Sequence, residues 1–386
     1  MPAAMSQSGP APRRRPGWRE RWLAFRNGTV ANPAFQRWAA GFPFTRRIAR
    51  RNTRALFDLC AGFVYAQVLF ACVRLDLFGL LRSGPLPPDT IARRLDLPPD
   101  RTLTLLKAAA SLDLIARLPD GRFALADLGA ALVGNPSIAA MVEHHAMLYA
   151  DLADPVALLQ APAGATRLAR YWPYAATDGA EQVGPDSVAA YSGLMAASQA
   201  LIAGDVLDAL PLADRTCLMD IGGGEGVFLA QAGRRHPALT LRLLDLPPVA
   251  ERAETRLIAE GLGARATCFG RSFADTPWPR GADAITLVRV VHDHDDAVAL
   301  MLLRAAHEAL PPGGLVAIAE PLAGTLGAEP VGDAYFGFYL LAMGSGRPRT
   351  ASELSGMLEA AGFVEIRERQ TRRPLLARLL TAKRAI

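Results

Sequence analysis

The feature that most restricts how this chain can fold is a glycine run, Gly222-Gly223-Gly224-Glu225-Gly226, set between two different hydrophobic patterns. The preceding Cys217-Leu218-Met219-Asp220-Ile221 reads as a short buried strand, and Val227 to Arg235 reads as a helix. Glycines at such a junction let the backbone turn tightly and bring a ligand close to it. A dinucleotide fingerprint would place glycines at 222, 224 and 227, but position 227 is Val. The observed Gly-x-Gly-x-Gly therefore disfavours a nicotinamide oxidoreductase, and a tight turn without any ligand has the same local pattern.

Two more features narrow the choice. Asp245 closes the next strand, 21 residues after Gly224. A carboxylate there can accept from both hydroxyls of an adenosine ribose, and its alternative role is a helix cap. Val290-Val291-His292-Asp293-His294-Asp295-Asp296 ends a further strand. Side chains at the carboxyl ends of such strands meet ligands, and a His there is placed to take a proton near neutral pH. The cluster is a poor metal site, because His292 and His294 diverge if the strand continues and no other cluster completes a ligand set. Asp295 or Asp296 reads more simply as the cap of the following helix. Glu320 ends the next strand, 28 residues after His292, so neighbouring parallel strands would bring the two together. A carboxylate beside a His fixes its tautomer and stabilises the imidazolium.

Around these residues strand and helix alternate. Strands are expected at 239–244, within 282–291 and at 315–319, and helices at 249–262, 295–310 and 352–361. Segments around 363–369 and 376–382 finish the sheet. This pattern specifies an α/β domain with a doubly wound parallel sheet over 211–386. Before it, Leu56 to Leu81 reads as a long helix. Asp89 to Leu95, a turn at Leu97-Pro98-Pro99, a helix at 101–112 and a hairpin turning at Asp120-Gly121 make a winged helix over 55–136. Residues 137–210 read as linking helices, broken by a loop near 161–187, that line part of a substrate pocket. A winged helix also raises a DNA-binding regulator. Its candidate recognition helix has only Arg101 and Lys107, too few cations for phosphate contacts, so no nucleic acid is expected.

Charge separates the N-terminus from the rest. Residues 1–54 hold twelve arginines and one acid, Glu20, for a net charge of +11, which leaves −6 for the remainder of a chain whose net charge is +5. Residues 18–54 interleave the arginines with aromatics such as Trp18, Trp22 and Trp38. Such an arm suits either a membrane face or the surface of a partner subunit. There is no signal-peptide pattern, and Leu59–Val73, short of a bilayer span, reads as a buried helix. The cysteines, Cys60, Cys72, Cys217 and Cys268, form no C-x-x-C pair, which argues against zinc and disulfides and fits a reducing compartment. A cytoplasmic protein is expected, peripheral at the inner membrane surface if the arm meets lipid.

The ordered set of motifs resembles the plant-type and acetylserotonin-type S-adenosylmethionine-dependent O-methyltransferases. The matching residues are Leu218 to Gly226, Leu244-Asp245-Leu246-Pro247, Val291-His292-Asp293, Ala309 to Gly314 with Ala319-Glu320, and Arg349-Thr350. The resemblance implies a winged-helix dimerisation domain, a Rossmann-like methyltransferase domain, a homodimer, and S-adenosyl-L-methionine as cofactor. It implies that His292 is the general base and Glu320 its carboxylate partner. It places Asp220, Gly222, Gly224, Gly226, Asp245, Ser272, Phe273, Arg289 and Ser198 (or Gln199) at the cofactor, and Met195 and Asp293 at the substrate, with no metal. Five positions depart from the family pattern: His294 replaces a Trp, Arg271-Ser272 replaces Asp-Met, Val288 replaces a Lys, and Pro348 replaces a second acid, which leaves one carboxylate to steady the His. The arm, Arg54 to Val64 and Val288 to Asp296 further resemble the hydroxyneurosporene (demethylspheroidene) O-methyltransferases of phototrophic bacteria. This implies a hydrophobic substrate, the tertiary 1-hydroxyl of an acyclic carotenoid, with a phenolic or polyketide metabolite as the alternative.

Overall fold

A computed structural model of the protein describes residues 17–171, 198–200 and 202–386. The chain divides into two compact units, Met1–Ala71 and Cys72–Ile386. The first carries α1 (Trp18–Ala31), α2 (Pro33–Gly41) and most of α3 (Arg46–Arg74). Asn32 starts α2: its side chain accepts from the N–H groups of Ala34 and Phe35 at 2.8 and 3.4 Å, and Pro33 presets the first helical turn. Among the described residues of this unit only Ala39 is buried.

The apolar stretch of α3 is not the buried helix that its composition implied. Leu59 is 81 % exposed and Phe63 72 % in the single chain, and Cys72 is the one buried residue of the helix. No described element of this chain covers that face. By length and composition α3 could cross a membrane. The long helix expected to reach Leu81 ends at Arg74, because Asp76 takes a left-handed conformation (φ 49°).

The second unit begins with α4 (Leu77–Leu81), α5 (Pro88–Leu95), α6 (Pro99–Ser111), the hairpin β1 (Ile115–Arg117) and β2 (Phe123–Leu125), and α7 (Asp127–Val133). This is the expected winged helix, sealed by the fully buried Ile91, Leu106, Ile115 and Phe123. Next come α8 (Pro136–Asp151), α9 (Pro155–Gln160), α10 (Arg167–Tyr171) and a helix, α11, over 202–209.

The sheet domain follows as β3 (Cys217–Ile221), α12 (Val227–Arg235), β4 (Thr240–Asp245), α13 (Pro247–Ala259), β5 (Ala266–Gly270) and β6 (Ala284–Val288). It continues with α14 (Asp296–Ala309), β7 (Leu315–Glu320), α15 (Gly337–Met343), α16 (Ala351–Ala360), β8 (Phe363–Arg369) and β9 (Arg378–Arg384). Seven strands form one sheet in the order β5-β4-β3-β6-β7-β9-β8. Its core lies on both faces. Met219, Ile221 and Ile285 pack with Leu302 and Leu303 on one side, while Leu218 and Leu243 pack with Phe228 and Leu257 on the other.

The sheet is not wholly parallel. β9 runs antiparallel to both β7 and β8. The connection from β8 to β9 spans only residues 370–377, too short for the crossover that a parallel pair needs. β5 was not anticipated either. Its residues are half-buried and exposed in turn at the sheet edge, so no continuous apolar run marks it.

This order creates one switch point. From β3 the chain winds outward through β4 to β5, then returns to place β6 on the other side of β3. The crevice at the carboxyl ends of β3 and β6 is where ligands of such sheets bind. The glycine run and the His292 segment leave the sheet at those two ends.

Candidate functional site

The glycine turn forms as expected. Gly222, Gly224 and Gly226 all have positive φ (64°, 57° and 74°), which L side chains rarely adopt. A Cβ on Gly222 would lie 2.9 Å from Val290 Cγ2, so that glycine allows the two strand ends to approach. A Cβ on Gly224 would meet nothing within 4 Å. The turn therefore presents bare backbone to open space there.

Asp245 faces the same space. Gly224 N–H donates to its Oδ2 and Leu246 N–H to its Oδ1, both at 2.8 Å. Each oxygen keeps a second lone pair, which fits the two hydroxyls of a ribose. Burial lifts the carboxyl to about 6, while these two hydrogen bonds pull the other way. Asp220, expected at the cofactor, is instead fully buried beneath the turn. Its Oδ1 accepts from Thr286 Oγ1 at 2.6 Å, and its Oδ2 has no hydrogen-bond partner. Burial raises its carboxyl to about 7.

At the end of β7, Glu320 is 2 % exposed. Its Oε1 accepts the N–H groups of Val290 and Val291 at 3.0 and 2.8 Å, which ties β7 to the turn that carries His292. Its Oε2 lies against His292 Nδ1. The sheet thus brings His292 and Glu320 together as their spacing indicated. Asp293 Oδ1 lies 2.9 Å from the opposite ring nitrogen, Nε2. This second carboxylate corrects the expectation that one acid steadies the ring once Pro348 has removed the other. Burial alone would lower the imidazole, but the charges of Glu320 and Asp293 outweigh it and raise the ring to about 10. A raised histidine stabilises the fold below its ordinary range and loses that contribution as pH rises toward about 10.

The flanking residues divide into those that join the crevice and those that do not. Arg289 adopts φ 58°, a strained conformation for a non-glycine residue, and its Nη1 donates to Ser198 Oγ at 2.7 Å. The structure therefore joins two residues that lie 91 positions apart. Ser272 Oγ accepts from Ala274 N–H at 3.1 Å and so holds its own turn. Phe273 sets its ring edge-on to His294, with centroids 5.1 Å apart. Arg271 bonds the carbonyls of Asp275 and Pro277 in its own loop. Met195 lies outside the described residues. Asp295 sits at the start of α14 but does not cap it; its carboxylate accepts Gly346 N–H at 3.0 Å. Asp296 instead pairs with Arg349, which also donates to the carbonyls of Val291 and His294 and so fixes the His292 segment from behind.

One wall of the site was not read from the sequence. A π-helical turn, Pro330–Phe336, sets the Phe336 ring 5.7 Å from that of His292. Beside it, Tyr335 Oη shares a 2.8 Å hydrogen bond with His145 Nε2, and Tyr339 Oη shares another with His144 Nε2. Burial lowers His144 to about 4, so the pair is neutral near physiological pH. Tyr339 packs into the buried helical core with Leu148, Leu158 and Leu168, so Phe336 is the ring that borders His292. The only sequence signal was the His144-His145 doublet, 190 residues from Tyr335, and a doublet on a helix suggests nothing by itself.

The comparisons with known proteins give the family. The O-methyltransferase domain family matches residues 149–364, and the O-methyltransferase dimerisation domain matches residues 57–135. The chain is similar to a demethylspheroidene O-methyltransferase of Cereibacter sphaeroides, 46 % identical over 91 % of this chain and 92 % of the relative. A demethylspheroidene O-methyltransferase of Rhodobacter capsulatus is 41 % identical over 89 % of this chain and 85 % of its own length. Among solved structures it resembles CalO1, a methyltransferase of calicheamicin biosynthesis in its SAH-bound form, with 26 % identity and a TM-score of 0.74 over 87 % of this chain and 98 % of that one.

The buried Asp220 gives a test of the floor of the site. Its raised pKa means that the folded protein resists ionising it, so stability falls as pH climbs from the ordinary carboxylate range through about 7. Asp220→Asn keeps an acceptor for Thr286 and removes that cost. Unfolding free energies compared between about pH 5 and pH 8 should diverge in favour of the variant as pH rises, by roughly 1–4 kcal/mol at the upper end. Parallel curves would contradict the assignment.

Proposed function

The chain belongs to the S-adenosylmethionine-dependent O-methyltransferases, and from that premise we propose that it methylates the tertiary 1-hydroxyl of an acyclic carotenoid, with His292 as the general base. Its dimerisation domain makes it a homodimer, and its substrate is a small molecule. The observation that carries the substrate class is the 46 % and 41 % identity, over nine-tenths of the chain, to relatives named demethylspheroidene O-methyltransferases. The Phe336 ring beside His292, with the neighbouring Tyr335 hydroxyl bonded to His145, supports it, because a long hydrocarbon needs an apolar surface next to the base. A phenolic or polyketide substrate would put a more acidic hydroxyl at the same base.

When bound, S-adenosylmethionine supplies a methyl group on a sulfonium, ready for in-line transfer to an oxygen. Gly222, Gly224 and Gly226 would give backbone to it, and Asp245 would accept from its ribose. Asp220 would support the turn from below, and Arg289, Ser198, Ser272 and Phe273 would border the pocket. His292 takes the hydroxyl proton at Nε2, the nitrogen that faces away from Glu320. Glu320 holds Nδ1 and so fixes which nitrogen acts as base. A tertiary alcohol is weakly acidic, so its proton leaves as the new C–O bond forms. Asp293 borders the place that the hydroxyl occupies and shares its hydrogen bond.

Base and carboxylates carry a pH consequence. The two acids favour the imidazolium in the free protein, and only the neutral ring can accept a proton. The rate should therefore rise with pH through the titration of this cluster. Asp293→Asn removes one of the two charges, so the rising limb of kcat/KM should move to lower pH; a limb that stays in place would contradict the electrostatic account.

A water-insoluble substrate also places the enzyme at a membrane, with residues 1–54 as the peripheral contact and the cytoplasm as the compartment. The direct test is incubation of the purified protein with S-adenosylmethionine and a detergent-dispersed hydroxylated acyclic carotenoid. The product should gain the mass of one methylene at the hydroxyl. His292→Ala should lose roughly 10²–10⁴-fold in turnover while cofactor affinity holds. Near wild-type turnover in that variant would remove the base, and methylation of phenols alone would remove the carotenoid.

A further inference from the structure

We propose that the arm binds an anionic lipid bilayer through an arginine face at the start of α3, together with exposed aromatic ladders on α1 and α2. The inference rests on the reading above, in which the substrate is a lipid-soluble hydrocarbon, and assigns the residues that hold the enzyme where such a substrate resides. In a helix of 3.6 residues per turn, Arg46, Arg47, Arg50, Arg51 and Arg54 fall within one arc of about 140°. Among the described residues, the one ion pair that any of the five makes is Arg54 with Asp58, at 3.6 Å. The opposite arc carries Ile48, Leu56 and Leu59, all more than half exposed. The five arginines precede residue 57, where the dimerisation domain begins.

The aromatics are ordered too. On α1, Trp18, Trp22 and Phe25 follow at i, i+4 and i+7, which puts them on one stripe with Arg21 and Arg26 to either side. All three rings are more than half exposed. From α2 onward Phe35, Trp38, Phe42 and Phe44 make a continuous ladder with centroid spacings of 5.6, 4.8 and 5.7 Å. Phe44 is 85 % exposed. Water penalises so much apolar ring surface, and the interfacial zone of a bilayer accommodates it with the rings at headgroup level. The arginines then meet lipid phosphates, each strengthened by the negative surface potential.

Charge selects among the occupants. Arm against arm would set +11 against +11, which repulsion opposes; an arm held instead on the partner's acidic body, of net charge −6, would bind neither vesicle type, and that result would overturn the proposal. A single-stranded nucleic acid would satisfy the arginines and some rings, but would leave Ile48, Leu56 and Leu59 in water. An anionic bilayer satisfies both sets.

The test uses the full-length protein in flotation with vesicles of phosphatidylcholine, with and without phosphatidylglycerol. Binding is expected on the phosphatidylglycerol vesicles, weak on phosphatidylcholine alone, and reversed by salt, with a blue shift of tryptophan emission. Arg47→Gln with Arg51→Gln should weaken partitioning by about 30-fold. Turnover of the same variant on detergent-dispersed substrate should be unchanged. Trp18→Ala with Trp22→Ala should weaken binding without changing its salt dependence. Equal binding to both vesicle types, no loss in the arginine variant, or preference for an oligonucleotide competitor would overturn the proposal. Retention on the membrane after alkaline extraction would overturn it as well, since the contact would then be a span. If binding fails while the carotenoid is methylated in detergent, this inference falls alone. If binding holds and the carotenoid is not methylated, the substrate reading falls instead.

Discussion

Two carboxylates on one imidazole set the terms for the rest of the site. His292 lies between Glu320 at Nδ1 and Asp293 at Nε2, in a place where neither the ring nor Glu320 reaches solvent to any extent. An isolated charge there would be costly, and the arrangement is tolerable because each group compensates another. Glu320 also accepts two backbone N–H groups from the turn that bears the ring, so one carboxylate fixes both the path of the chain and the orientation of the imidazole. If that side chain is lost, the turn and the ring lose their common anchor.

The sheet makes this possible by topology. Reversing the winding direction between β5 and β6 leaves β3 and β6 adjacent with their ends uncovered. The glycine turn from one end and the His292 segment from the other then close on a single crevice, and Gly222 permits Val290 to approach. The strained backbone of Arg289 belongs to the same junction. Strain of this kind persists where surrounding structure enforces it, here the bond from Arg289 N–H to the Ala319 carbonyl on β7.

Much of this was legible in the sequence because it depends on local pattern. β3 is a short buried run, apolar except for Asp220 and ended by glycines, and its observed bounds match those read from the residues. Asp245 and Glu320 each close a strand and His292 lies in the short turn just beyond β6, so strand-end logic was enough to bring the three to one edge of the sheet. What escaped depended on tertiary context. The reversal of β9 follows from a short connection whose direction no periodicity encodes. Asp293 as the second partner of His292 and Tyr335 as the partner of His145 are pairings that exist only once the chain has folded. Asp220, which the family resemblance placed at the cofactor, turns inward beneath the glycines toward Thr286, a pairing that exists only in the folded sheet. The apolar run of α3 read as core, because composition cannot distinguish a helix buried in its own chain from one that leaves its face exposed.

The most direct measurement of the central claim is the titration of the His292 ring itself, followed by nitrogen chemical shifts in the cofactor-free protein. The charges of Glu320 and Asp293 should keep the ring protonated well past neutrality, toward about 10. A ring that is already neutral at or below the ordinary histidine range would mean that the two acids do not grip it, and the proton-transfer geometry described here would be wrong.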